Sequence, residues 1–119
     1  MPVLRKVLKS KLHRATVTEA NVDYVGSVTI DSNLLEAVDL WPNEYVHVWN
    51  VTNGERFETY ALAGEPGSGV ICLNGAAALR AKVGDIVIIA SFVLTDQPIS
   101  PKIAFLDGRN RIERLAHEG

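Results

Sequence analysis

Tyr45-Val46-His47-Val48-Trp49-Asn50-Val51 alternates apolar and polar or amphipathic side chains, and after Asn53-Gly54 a second run extends from Glu55 through Ala63. Alternation with a period of two is the pattern of a strand with one face on a core. Asn-Gly between two such runs is a strong hairpin signal. It favours a type I′ turn, because both residues tolerate positive φ. The middle of the chain therefore predicts a β-hairpin.

Reading outward toward the C-terminus, Gly67-Ser68-Gly69 predicts a turn and Val70-Ile71-Cys72-Leu73 a strand. Asn74-Gly75-Ala76-Ala77-Ala78-Leu79 reads as a turn entering one helical turn. Ile86-Val87-Ile88-Ile89-Ala90-Ser91-Phe92 is a continuous apolar run, as for a strand buried on both faces. Pro98 and Pro101 flank a loop, Lys102–Leu106 reads as a last strand, and a polar tail follows Asp107-Gly108.

Toward the N-terminus, Asp31-Ser32 supplies N-cap residues for a short helix. Leu34, Leu35 and Val38 share its apolar face, and Asp39 to Pro42 end it. Tyr24 through Asp31 is β-rich but interrupted by Gly26, which marks a bulge or a close backbone approach. Residues 3–17 alternate loosely and predict one or two strands. Val, Ile and Thr make up 28 of 119 residues, which favours strands. The fold expected is mainly β, a small barrel with one or two short helices, as a single domain over residues 1–119. A doubly wound dinucleotide fold or a TIM barrel needs far more chain.

The net charge of −2 argues against a general nucleic-acid binder. Residues 1–26 nevertheless carry Arg5, Lys6, Lys9, Lys11 and Arg14 against Glu19 and Asp23. That excess fits a basic edge strand or an anion site. Cys72 is the only cysteine, which excludes internal disulfides and multi-cysteine metal sites. No apolar leader or membrane-length apolar run is present, so a reducing cytoplasm is the expected compartment and no membrane partner is expected. His13, His47 and His117 have no metal-binding spacing, and no glycine-rich phosphate loop occurs, so no metal is expected. His47 reads as a surface residue and Cys72 as a small buried hydrophobe. Gly26-Ser27 remains as a place where a serine hydroxyl could attack the preceding carbonyl, since glycine offers no Cβ obstruction and tolerates unusual φ and ψ. An ordinary strand bulge is the competing explanation.

Beyond these local patterns, longer blocks resemble the pyruvoyl-dependent aspartate 1-decarboxylases. They are Lys11-Leu12-His13-Arg14, Tyr24 through Asp31, Trp49 through Ala61, Asn74-Gly75-Ala76-Ala77-Ala78, and Val83 through Phe92. The resemblance runs from Leu8 to Phe92 and continues weakly through Gly108. It implies a double-psi β-barrel, a homotetramer with active sites between subunits, and self-cleavage between Gly26 and Ser27. The products would be chain 1–26 and a pyruvoyl-bearing chain 27–119. By that resemblance, Ser27 Oγ attacks the Gly26 carbonyl, the ester undergoes elimination, and hydrolysis leaves a pyruvoyl group with loss of ammonia. The pyruvoyl group takes the place of pyridoxal phosphate. It forms a Schiff base with L-aspartate, and loss of the α-carboxylate yields β-alanine for pantothenate and coenzyme A synthesis.

The same resemblance assigns Ser27 and Tyr60 as catalytic, with Tyr60 protonating the decarboxylated carbon. Lys11, Arg56, Thr59, Gly75, Ala76 and Ala77 are expected to bind substrate. Gly26, Ser27, Thr59 and Tyr24 are expected to serve self-processing, with Thr59 as oxyanion donor. Asn74 and His13 are supporting residues, and an accessory maturation protein is a further partner the resemblance allows. Two other readings stay open from sequence: a non-catalytic double-psi barrel used as a binding module, and a nucleic-acid-binding barrel. The first requires Ser27 to be an ordinary strand residue. The second is disfavoured by the acidic remainder of the chain.

Overall fold

The computed structural model describes residues 1–119 and is mainly β. Its strands are β1 (Arg5–Thr16), β2 (Glu19–Asn21), β3 (Ser27–Asp31), β4 (Tyr45–Asn50), β5 (Arg56–Gly64), β6 (Ile71–Asn74), β7 (Ile86–Thr95), β8 (Lys102–Leu106) and β9 (Ile112–Ala116). One α-helix, α1 (Ser32–Val38), follows β3, and a 3-10 turn over Gly75–Leu79 follows β6. The strand order is β2-β6-β3-β5-β4-β7-β1-β8-β9.

The sheet curls on itself. Helix α1 touches β3 and β5 from one part of the order and β1 and β8 from another. Asn110 also spans distant parts, donating from Nδ2 to the carbonyls of Thr16 (2.9 Å) and Gly69 (2.7 Å). Inside lie Leu12, Val28, Ile30, Val46, Val48, Ile71, Leu73, Val87 and Ile89, all fully buried. Alternation in β3, β4 and β7 sends these branched side chains inward.

Helix α1 starts where expected. Asp31 caps it by accepting from Asn33 N at 2.9 Å, and Asp39 ends it in the left-handed conformation at φ 60°. The buried Asp31 carboxylate also accepts from Gly67 N (3.0 Å) and Gly69 N (2.9 Å), so it fixes the loop before β6.

Four expectations need correction. The N-terminal region forms one of the one or two strands expected, but that strand is interior rather than an edge, pairing with both β7 and β8. Register shifts at Lys9 and at His13-Arg14 break its alternation, with Arg14 at φ 64°. Lys9 is consumed locally: its ammonium lies 3.1 Å from Glu44 and donates to the Asp39 carbonyl. The turn between β4 and β5 is not type I′, because Gly54 has positive φ and Asn53 does not. The buried Asn50 carboxamide accepts from Thr52 N (2.9 Å) and Asn53 N (3.2 Å), which lengthens the loop. The polar tail contains β9, paired antiparallel to β8, with the Arg114 guanidinium 3.9 Å from the centre of the Phe105 ring. Finally, His47 is half-buried in an aromatic cluster with Tyr45, Trp49 and Phe92.

Candidate active site

The Gly26-Ser27 step lies at the start of β3, where Ser27 pairs with Asn74 of β6. Ser27 is fully buried and Asn74 is 5% exposed. Asn74 Nδ2 donates to Ser27 Oγ at 3.0 Å, and the serine hydroxyl faces the Val25 carbonyl at 3.4 Å. A buried hydroxyl with a fixed donor is pre-positioned, and donation to its oxygen favours the alkoxide form needed for attack.

The unusual backbone lies at Gly75, not at Gly26. Gly75 has φ 66°, and a Cβ there would sit 2.7 Å from Gly26 Cα and N and 2.9 Å from the Tyr24 carbonyl oxygen. At Gly26 a Cβ would meet only the Asn74 carbonyl oxygen, at 3.9 Å. The missing Cβ of residue 75 therefore lets the 3-10 turn press against the backbone of the 24–26 segment.

Beside this contact is a cavity of about 280 Å³ lined by Gly26, Arg56, Phe57, Glu58, Thr59, Ala76, Ala77 and Arg80. That is close to the lower end of small-molecule sites, about 300 Å³. Parallel pairing of β3 with β5 positions the β5 residues; its register begins at Val28 opposite Ala61, one step after Ser27 and Tyr60. The alanines leave room, and two guanidinium groups supply positive charge. Arg56 lies 4.9 Å over the Trp49 ring, which limits its motion. Arg80 pairs with Glu55 at 2.7 Å. A planar guanidinium can hold a carboxylate through two parallel bonds.

Thus Gly26, Ser27, Arg56, Thr59, Asn74, Gly75, Ala76 and Ala77 come together, and the other expected residues stand apart. Tyr60 is half-buried and lines an adjoining cavity of about 590 Å³ with Asn43, Tyr45, Glu58 and Thr59; Glu58 and Thr59 are common to both. In that second space, hydrogen bonding to Glu58 raises the Tyr45 phenol above its ordinary value. The Tyr24 side chain is 66% exposed, so its backbone, not its ring, meets Gly75. Lys11 and His13 lie on β1, separated from β3 by β7, β4 and β5 in the strand order. The His13 ring packs 5.0 Å from Phe105. Burial, followed by Lys11, Arg14 and Arg114, lowers its pKa.

Several site residues escaped the sequence reading. Arg80 lines the cavity, but a lone arginine after a helical turn looks like an ordinary surface cation. Thr29 and Cys72 meet Asn74, Thr29 through the β3–β6 register and Cys72 from two residues earlier on β6. Thr29 Oγ1 accepts from Asn74 Nδ2 at 3.1 Å, and the Cys72 thiol donates to Asn74 Oδ1 at 3.3 Å. No three His, Cys, Asp or Glu side chains converge as a metal site would require, and no helix is long and apolar enough to cross a membrane.

Comparison with known proteins adds to this geometry. The family model described as Aspartate decarboxylase matches residues 3–113. A Listeria monocytogenes protein named Aspartate 1-decarboxylase is 57% identical, with 98% of this chain and 94% of the relative covered. A protein of the same name from Caldicellulosiruptor saccharolyticus is 55% identical over the same shares.

Proposed function

The chain belongs to the aspartate decarboxylase family, and from that premise we propose how its own residues mature and perform the reaction. It is a carboxy-lyase that removes the α-carboxylate of L-aspartate as CO2 and leaves β-alanine. This product feeds pantothenate synthesis.

Maturation begins at Ser27. Its Oγ attacks the Gly26 carbonyl carbon, the C–N bond breaks, and an ester forms while the Ser27 amine is released. Loss of the Ser27 α-proton expels the Gly26 carboxylate from Cβ. One water then displaces ammonia, leaving chain 1–26 and a pyruvoyl-bearing chain 27–119. Thr59, on the cavity wall beside Gly26, donates to the oxyanion of the first step. Asn74 holds Oγ in place. The residues fit such a group at position 27: the serine is buried with a dedicated amide donor, and the glycine at 75 lets the chain close around it.

The pyruvoyl group supplies a ketone that acts as an electron sink for an attached amine. The protein supplies the rest. Arg56, steadied on Trp49, binds one substrate carboxylate in bidentate fashion. Backbone N–H groups at Gly75, Ala76 and Ala77 face the substrate, and small side chains permit that approach. Tyr60 is the proton donor to the carbon that loses CO2, a phenolic O–H being able to serve as a general acid.

Lys11 binds the second carboxylate, with His13 beside it. Neither lines the cavity beside Gly26, which supports an active site completed by a neighbouring subunit of a homotetramer. The cytoplasm is the compartment in which this chain would meet aspartate, and an accessory protein could assist cleavage.

The observation that carries this reading is the buried Ser27–Asn74 pair beside a cavity lined by Gly26, Arg56, Thr59 and the 76–77 alanines. Intact mass spectrometry tests it together with a β-alanine assay. Two chains, the larger lacking a free amino terminus, and turnover of aspartate are expected. Ser27→Ala abolishes both. A chain that stays whole at about 37 °C while making no β-alanine would refute the proposal.

A further inference from the structure

We propose that Thr29 and Cys72 are positioning residues that hold the Asn74 carboxamide in the one orientation that donates to Ser27 Oγ. This rests on the self-cleavage reading and extends it to residues without a direct role in the chemistry.

A carboxamide has two nearly identical ends, and rotation by half a turn exchanges its donors and its acceptor. If the Asn74 oxygen faced Ser27, the hydroxyl would become a donor to it. The oxygen would then oppose the developing alkoxide instead of stabilising it. The surroundings select the other orientation. Asn74 Nδ2 has two hydrogens and two hydroxyl acceptors, Ser27 Oγ at 3.0 Å and Thr29 Oγ1 at 3.1 Å. On the opposite side, the Cys72 thiol donates to Oδ1 at 3.3 Å. Burial, then Glu19 by its charge and by hydrogen bonding, raises the thiol pKa, so the thiol keeps the one proton that Asn74 Oδ1 and Glu19 both face. In the rotated orientation only sulfur would face the two N–H bonds, leaving a buried donor without a partner.

Two of the contacts follow from register and one from the strand itself. Pairing of Ser27 with Asn74 and of Thr29 with Cys72 across β3 and β6 brings both hydroxyls to the Nδ2 end of the amide, and Cys72, two residues before Asn74 on β6, meets the Oδ1 end. Removing one hydroxyl or thiol keeps the strands paired but frees the amide to rotate.

Full-chain precursor made by cell-free translation, sampled over time and weighed by mass spectrometry, provides the test. Thr29→Val keeps the side-chain shape and removes the acceptor; Thr29→Ser keeps the acceptor and removes the methyl. A positioning role predicts that Thr29→Val slows cleavage about fivefold, the effect of one net hydrogen bond. Thr29→Ser should stay within about twofold of the parent. A packing role predicts the opposite order. Cys72→Ala and Cys72→Ser should repeat the pattern, and they decide the matter if circular dichroism shows Thr29→Val unfolded. Parent-like cleavage of both Thr29→Val and Cys72→Ala would overturn the inference alone. A parent chain that never splits would overturn it together with the self-cleavage reading.

Discussion

Replacing Gly75 with alanine tests whether the approach of the 3-10 turn to Gly26 holds the cleavage segment. Two costs combine there. Alanine at φ 66° occupies the left-handed region, at about 1–2 kcal/mol. The new methyl would also sit 2.7 Å from Gly26 N and Cα and 2.9 Å from the Tyr24 oxygen. Those atoms are backbone, with no side chain to swing aside, so the 24–26 segment must move. Overpacking of this kind costs about 1–3 kcal/mol. Gly84→Ala separates the two costs: Gly84 has φ 93°, and nothing lies within 4 Å of the added Cβ. Guanidinium unfolding of both variants in a Ser27→Ala background, which stays uncut, should place Gly75→Ala about 1–3 kcal/mol below Gly84→Ala. With Ser27 restored, only Gly75→Ala should slow cleavage. Equal stability and equal cleavage rates in the two alanine variants would refute the reasoning.

Other consequences can be measured directly. Arg56→Lys should leave cleavage intact but raise KM for aspartate about tenfold or more, because a point charge cannot reproduce bidentate binding. Steady-state kinetics on the cleaved protein checks this. Co-expressed Lys11→Ala and Arg56→Ala chains, each inactive alone, should recover about a quarter of parental activity if sites draw on two subunits; no recovery would place both residues in one chain's site. Asn110→Ala removes one accepted and two donated buried hydrogen bonds, to Thr16 and Gly69, and should cost about 2–4 kcal/mol in urea unfolding. His13 has a folded pKa below its ordinary 6.5, so the folded state binds fewer protons. Its contribution to stability is present above pH 6.5 and is lost as pH falls through the folded pKa. His13→Gln should flatten the change in the urea midpoint between pH 7 and pH 5.

The strands were legible where one physical signal dominated. Alternation gave β4, a run of apolar residues gave β7, and Asp31 announced α1. Where two signals competed, the tertiary partner decided. Asn53-Gly54 is an excellent type I′ sequence, yet the buried Asn50 amide captures the loop N–H groups and extends the turn. The region after Gly108 is too polar to read as a strand, but Asn110 ties it to Thr16 and Gly69 and β9 joins β8. Bulges at Lys9 and Arg14 loosened the alternation of β1 and left open from sequence whether it was one strand or two. At the site, the blocks around Gly26, Arg56 and Asn74 were legible by resemblance. Arg80 and Thr29 were not, because their places depend on the 3-10 turn and on β3–β6 register; Cys72 read as a small buried hydrophobe, and its hydrogen bond to Asn74 two residues on along β6 was not legible.

The position of the strain also changes how Gly26-Ser27 is understood. From sequence, glycine at 26 looked like the residue that permits an unusual backbone. In the fold Gly26 has room for a Cβ and does not occupy the left-handed region, while its partner Gly75 does. Packing of the resting precursor therefore does not require glycine at 26. On the self-cleavage proposal, glycine at 26 would matter later, as the Gly26 carbonyl carbon and Ser27 Oγ approach and the carbonyl becomes tetrahedral. Gly75 meets a different need, allowing the turn that carries Ala76 and Ala77 to close on the segment before any bond breaks. Under that proposal Gly75 serves assembly of the site and Gly26 serves access during its chemistry, so the Gly26-Ser27 step would react only when Asn74-Gly75 is folded against it.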